Sequence, residues 1–378
     1  MAVLEASIDT LKYELQEEAP QRARIKVVGI GGGGANAVAH MMQAGLEGVE
    51  FHVIDTDVRA LGASAVPHKL AIGAQRAGGR AAGGDPEVGR QAALDDTERI
   101  HELLQDAEMV FLTAGLGGGV GTGAAPVVAS LAKQLNAVTV AVVTKPFSFV
   151  GAGPMRQAEK GLAELAAIVD TLIAVPNDRL LALAPRGATL LDAFRMGYEL
   201  LRQTVENMVE LNTVPGLINR DFSYVRAILQ GSGCARMGTA AATGENAVLE
   251  AVRQAINCPL LEDAGIAGAR SVLLNITASS RLGLHALTEA CALIRKAAGE
   301  EVELNFGLVL NEAMGEAVKA TLIAAGFPRR QAPPAGEAAA PPPEPEPPPE
   351  PTPAPPEPPE PLDELDIPAY QRQGKTLY

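Results

Sequence analysis

Tryptophan is absent from this 378-residue chain, and aromatic residues make up only 3% of it. That scarcity argues against base stacking on an aromatic platform as a way of holding nucleic acid. Positive charge is also short: 31 Lys and Arg stand against 45 Asp and Glu, for a formal net charge of −14. A nucleic-acid backbone or an anionic membrane surface is therefore disfavoured as a direct partner. Six of the acidic residues fall between Glu337 and Glu360, so the rest of the chain is less acidic than the whole. The cysteines, Cys234, Cys258 and Cys291, are far apart, with no CxxC and no Cys/His group at zinc spacing. They read as reduced thiols of a cytoplasmic protein, and no metal site is expected from them. No apolar run is long enough to cross a bilayer, and no secretory leader pattern is found.

Glycine, in contrast, is plentiful and clustered. The stretch TAGLGGGVGTG at 113–123 follows a buried-strand pattern at 109–112 and precedes the helical pattern AAPVVASLAKQL. Strand, glycine loop and helix together present backbone N–H groups and a helix N-terminus to a phosphate. A second such unit lies upstream. The strand pattern IKVVGIG at 25–31 runs into Gly31, Gly32, Gly33, Gly34, Ala35 and Asn36, then into a helix. Gly29, Gly31 and Gly34 fit GxGxxG, with Asp55 and Asp57 at the end of the next strand. Taken alone, that spacing equally suits a nicotinamide-dependent oxidoreductase.

Further strands are expected at 68–72, 137–144 and 171–176, with helices from near Pro86 and over 155–168. Strands alternating with helices imply a doubly wound parallel sheet with its ligand loops at the carboxyl ends of the strands. A long helical pattern over 189–211 reads as a connector. Beyond it, strands at 269–277, 302–310 and 318–324 and helices near 245–257 and 283–298 form a second, smaller α/β domain. The expected boundaries are an N-terminal extension at 1–24, a nucleotide domain at 25–188, the connecting helix at 189–212, and the second domain at 213–327. A disordered Pro/Glu-rich linker follows at 328–362, because Pro, Glu and Ala cannot build a packed core. The last segment, 363–378, brings back apolar side chains in LDIPAYQR, which opens at Leu365 and closes at Arg372. A short apolar motif on a long tether suits a docking peptide.

The two glycine units, taken together, separate the readings. The run GGGVGTG at 117–123 resembles the GGGTGTG signature of the FtsZ/tubulin family of filament-forming GTPases. The resemblance continues through KPFSF at 145–149, PNDRLL at 176–181, LLDAF at 190–194, VPGLIN at 214–219, GEN at 244–246 and SVLLNIT at 271–277. The LDIPAY of the tail resembles the docking peptide of bacterial FtsZ. The resemblance implies a tubulin-like fold and GTP or GDP as the ligand, with Mg²⁺ held mainly by nucleotide oxygens and water. It places the phosphates on Gly31, Gly32, Gly33, Asn36, Gly117, Gly118, Gly119, Gly121 and Thr122. It places the base against Phe194, with Glu199 reading the guanine edge. It also implies a head-to-tail homopolymer in the cytoplasm at the mid-cell division site. Asn219 and Asp221 of one copy would orient water at the nucleotide of the next. Membrane adaptors would capture the tail peptide, and a divergent copy could also join a second member of the family in the same cell.

Several positions depart from the family pattern. Tyr224 stands where the catalytic loop carries a second aspartate, and a neutral phenol is a poor substitute for a carboxylate near pH 7. Val120 replaces the signature threonine. Val150 and Pro154 replace the usual Glu and Arg, Asp55 replaces an Asn, and Asp85 adds an acid to the loop at 81–86. These departures predict weakened binding, slowed turnover, or both.

Overall fold

The computed structural model describes residues 23–183, 185, 187–213, 222–258, 261, 265–280 and 282–327. The first half runs β1 (Ile25–Ile30), α1 (Gly31–Gln43), β2 (Glu50–Asp55), α2 (Val58–Ala63), β3 (His68–Ala71), α3 (Ala74–Ala77), α4 (Pro86–Asp95) and α5 (Thr97–Leu104). It continues through β4 (Met109–Gly115), α6 (Gly119–Gln134), β5 (Val138–Lys145), α7 (Ala152–Ile168), β6 (Thr171–Pro176), α8 (Asn177–Leu183) and the long α9 (Leu190–Thr213). The second half holds α10 (Phe222–Leu229), β7 (Gly233–Thr243), α11 (Ala247–Ile256), β8 (Ser271–Ala278), α12 (Leu284–Ala298), β9 (Glu303–Leu310) and β10 (Ala317–Ala325).

All ten strands join one sheet, in the order β3-β2-β1-β4-β5-β6-β7-β10-β8-β9. From β3 to β7 every pair is parallel; β10 then runs antiparallel to both neighbours, and β8 and β9 are parallel. The first six strands match the doubly wound expectation. The two halves are spliced edge to edge, because β7 pairs with β6 at Thr171↔Gly233, Leu172↔Cys234 and Ile173↔Ala235.

Central strands are buried on both faces, as their unbroken Val, Leu and Ala runs require. Along β1 the alternation divides the core: Ile25 and Val27 face one apolar cluster, Val28 and Ile30 the other. The first cluster takes α1 and the buried stripe of α9 (Leu201, Val205, Met208 and Val209), and reaches Met237, Leu273 and Ile323 of the second half. The second cluster packs α4, α5, α6 and α7 onto the opposite face of the sheet. A third lies wholly within the second half, between α11, α12 and their strands.

The helices start earlier than their apolar patterns indicate. Glycine is a poor helix former, yet the first turn of α1 is Gly31–Gly34 and that of α6 is Gly119–Thr122. Pro126 therefore lies inside α6 rather than in its first turn. Strand β7 and the short helices α2, α8 and α10 have no counterpart among the sequence-based expectations.

Candidate nucleotide-binding site

Strands β1 and β4 are neighbours, and their chains leave for opposite edges of the sheet. This is the topological switch point, where an open α/β sheet leaves a crevice beyond its strand ends. Both helices that leave it have unusual starts. The N-cap positions of α1 and α6 are Ile30 and Gly118, and neither makes a side-chain capping bond. The first-turn N–H groups are thus orphan donors, and each helix adds the positive end of its dipole. The packing requires glycine here. A Cβ on Gly34 would lie 2.3 Å from the Thr113 carbonyl oxygen. One on Gly31, whose φ is +70°, would lie 2.9 Å from the Gly121 nitrogen, and one on Gly121 would lie 2.4 Å from the Gly115 oxygen. Around Gly32 and Gly118 the space is open.

A cavity of about 320 Å³ opens at this point and runs from the glycine turns to α9. Of the residues expected at the site, Gly33, Gly117, Gly118 and Phe194 line it. Asn36 stands one step behind, its Nδ2 donating to the Tyr198 hydroxyl at 3.3 Å. The Thr122 hydroxyl accepts from the Gly117 N–H at 2.8 Å and so ties the loop to the first turn of α6. Gly31, Gly32, Gly119 and Gly121 form the turns behind the lining. Phe194, 37% exposed, meets buried Phe147 edge-on at 5.5 Å between centroids and lies nearly parallel to Tyr198 at 6.5 Å. An aromatic wall is thus available for a flat ring, in a chain otherwise poor in aromatics.

Glu199 is not on that wall. Its Oε1 accepts from Arg202 Nη2 at 2.6 Å and Gln203 Nε2 at 2.9 Å. Its Oε2 accepts from Arg202 Nε at 2.8 Å and lies 3.1 Å from His40 Nε2. The Arg202 guanidinium above all, with Gln203 and His40, holds this carboxyl down at about 2. Tyr198 lines the cavity instead. The helix explains the difference: residues 194 and 198 share a face, while 199 is turned about 100° further round. The side chain lying four residues after Phe194 was the one to weigh, and the sequence reading missed it. Asn177, Thr144 and Pro146 of the wall were also not singled out.

The acids flagged in the loops have local partners. Asp57 caps α2, accepting from the Arg59 and Ala60 amides, and Asp85 caps α4 through the Glu87 amide. Asp55 is buried and accepts from the Thr56 amide at 2.7 Å, while burial pushes its carboxyl up. Asn219, Asp221 and the tail peptide from Leu365 to Arg372 lie outside the described residues, as do residues 1–22 of the N-terminal extension and the linker.

The profile of the Tubulin/FtsZ family, GTPase domain, matches residues 24–185, and that of the FtsZ family, C-terminal domain, matches 233–328. An empty FtsZ dimer from M. jannaschii is 38% identical, with a TM-score of 0.75, over 81% of this chain and 88% of that one. This chain belongs to the FtsZ/tubulin family. The fold alone is shared with CetZ2 from Haloferax volcanii, a GTPγS-bound protofilament, at 23% identity and a TM-score of 0.72, over 81% of this chain and 94% of that one. FtsZ/tubulin proteins are GTP-binding GTPases of cytoskeletal filaments, and the oxidoreductase reading of GxGxxG falls away with this membership.

Within the family frame, the departures divide in two. Val120 is buried in the core beside Gly31, so its side chain serves packing. Val150 and Pro154 both line the cavity. With them in place, the lining residues include no Asp, Glu, Lys, Arg or His. Among the described residues, no group of three or more His, Cys, Asp or Glu is placed to hold a metal. No helix among them is long and apolar enough to cross a membrane.

Proposed function

We propose that the chain binds GTP in this cavity, assembles head to tail and turns GTP over slowly as part of a septal division apparatus. The observation that carries the proposal is the paired glycine turn at the β1/β4 switch point, facing an aromatic wall in a family of GTPases. The phosphates would rest on the first-turn amides of α1 and α6, where backbone donors and dipoles favour anions. That backbone supply matters more than usual because the wall offers no cation. Phe194 would stack on the base. Mg²⁺ fits only as an ion held by phosphate oxygens and water, since the wall has no carboxylate to give it; it would offset charge on the phosphates.

The attacking water would be oriented from the next copy by Asn219 and Asp221. Tyr224 supplies no carboxylate beside them, and positioned acid–base groups are worth roughly 10²–10⁴ in rate. The tail from Leu365 to Arg372 would tether filaments to membrane adaptors, placing the protein in the cytoplasm at mid-cell. The neutral cavity wall also supports a second reading: a divergent structural partner of another family member, with little or no turnover of its own.

Phosphate release and pelleting with GTP test both readings in wild type, Tyr224→Asp and Asp221→Ala. Slow release in wild type, a gain of tenfold or more in Tyr224→Asp and loss in Asp221→Ala are expected. Brisk wild-type hydrolysis with no gain from the added aspartate would refute the role given to Tyr224. Pelleting without any release in all three would favour the structural partner.

A further inference from the structure

Base recognition is where the site differs most from its expected wiring. A carboxylate facing a purine accepts from the N1–H and amino group of guanine and repels the N1 lone pair of adenine. Here Glu199, the acid expected at the base, is committed elsewhere. Glu199 makes four close polar contacts, two of them a bidentate grip by Arg202, which accounts for the lone-pair sites of an ionised carboxylate. To reach a base it would have to abandon that grip and turn round the helix.

We infer, resting on the nucleotide reading above, that the site takes purine nucleotides without selecting guanine, and that Tyr198 is the residue that sets this tolerance. A phenol carries one donor and two acceptor directions. Asn36 Nδ2 occupies one acceptor direction at 3.3 Å, leaving an O–H and a lone pair. The O–H suits the N1 acceptor of adenine, and the lone pair suits the N1–H of guanine. Asn177, the other polar side chain on this part of the wall, is an amide with both a donor and an acceptor. Phe194 stacks on any base, because every base has a π-face. Nothing on the wall rejects adenine. Strong discrimination requires a polar group that the wrong ligand leaves unpaired, and an ambidentate hydroxyl is satisfied by both.

Equilibrium titration of nucleotide-free full-length protein with GTP and with ATP, each with Mg²⁺, tests the inference. Dissociation constants within tenfold of each other are expected for wild type. Tyr198→Asp should move the GTP-to-ATP ratio at least tenfold toward GTP. Tyr198→Phe should weaken both nucleotides alike, and Glu199→Gln should leave the ratio within threefold. A wild-type preference for GTP above tenfold, or a ratio that shifts more than threefold in Glu199→Gln, would overturn the inference while leaving the nucleotide site intact. Binding of neither nucleotide would overturn the nucleotide reading itself, and the inference with it.

Discussion

His52 shows how one buried residue couples the sheet edge to pH. Its side chain is 8% exposed on β2, stacked on His68 of β3 at 4.9 Å between ring centroids. Its Nε2 lies 3.5 Å from Glu50 Oε2, and neither ring nitrogen has a hydrogen-bond partner. Burial, then the charges of His68 and Lys26, pull its pKa from 6.5 to about 4, against the pull of Glu50. Between those values the unfolded chain takes up a proton that the folded chain refuses. Stability therefore falls as pH drops from 6.5 to about 4 and is restored as pH rises through that window. Thermal melts of wild type and His52→Gln across pH 4–7 should show a steeper acid loss in wild type; parallel curves would exclude this role. At the same scale, Phe194 was legible in the sequence because its motif places it. Glu199 was misplaced because a motif names a neighbourhood and helix phase picks the face. The family resemblance points to an acid at 199, while the helix puts the ring at 198 on the cavity.

Elements were legible where hydrophobic periodicity is strong and illegible where small residues do the packing. The runs of β1, β4 and β5 announce buried strands. Strand β7, GCARMGTAAAT, has no such run, and its extended form is imposed by nine residue pairs with β10, from Ala317↔Thr243 to Ala325↔Ala235. Tertiary pairing here overrides weak local propensity. The glycine turns show the converse: a composition that argues against helix is helical because α4 and α6 must pack closely. A Cβ on Gly123 would lie 1.8 Å from the Pro86 oxygen, and one on Gly89 would lie 2.4 Å from the Gly119 oxygen. Gly123→Ala should therefore destabilise the fold by about 1–3 kcal/mol or more, the usual cost of overpacking a tight core. Gly32→Ala, in open space, should cost well under that. Denaturant melts of the two variants compare them directly, and equal losses would refute the packing account.

At the scale of the whole chain, the tail and the body call for separate tests. Deleting residues 363–378 should leave GTP-dependent pelleting unchanged and abolish adaptor binding; retained adaptor binding would refute the docking role. The sequence anticipated two α/β regions with a long helix between them. It could not anticipate that a single sheet runs through both, since strand pairing across sixty residues leaves no local pattern. The seam between the regions is narrow. β6 and β7 share three residue pairs, while β4 and β5 share seven. Beside that short ladder, one apolar cluster spans both halves, holding the buried stripe of α9 together with Met237, Leu273 and Ile323. Hydrogen bonds are directional and apolar contact is not. With three residue pairs of ladder and one shared apolar cluster, the seam is more seal than weld.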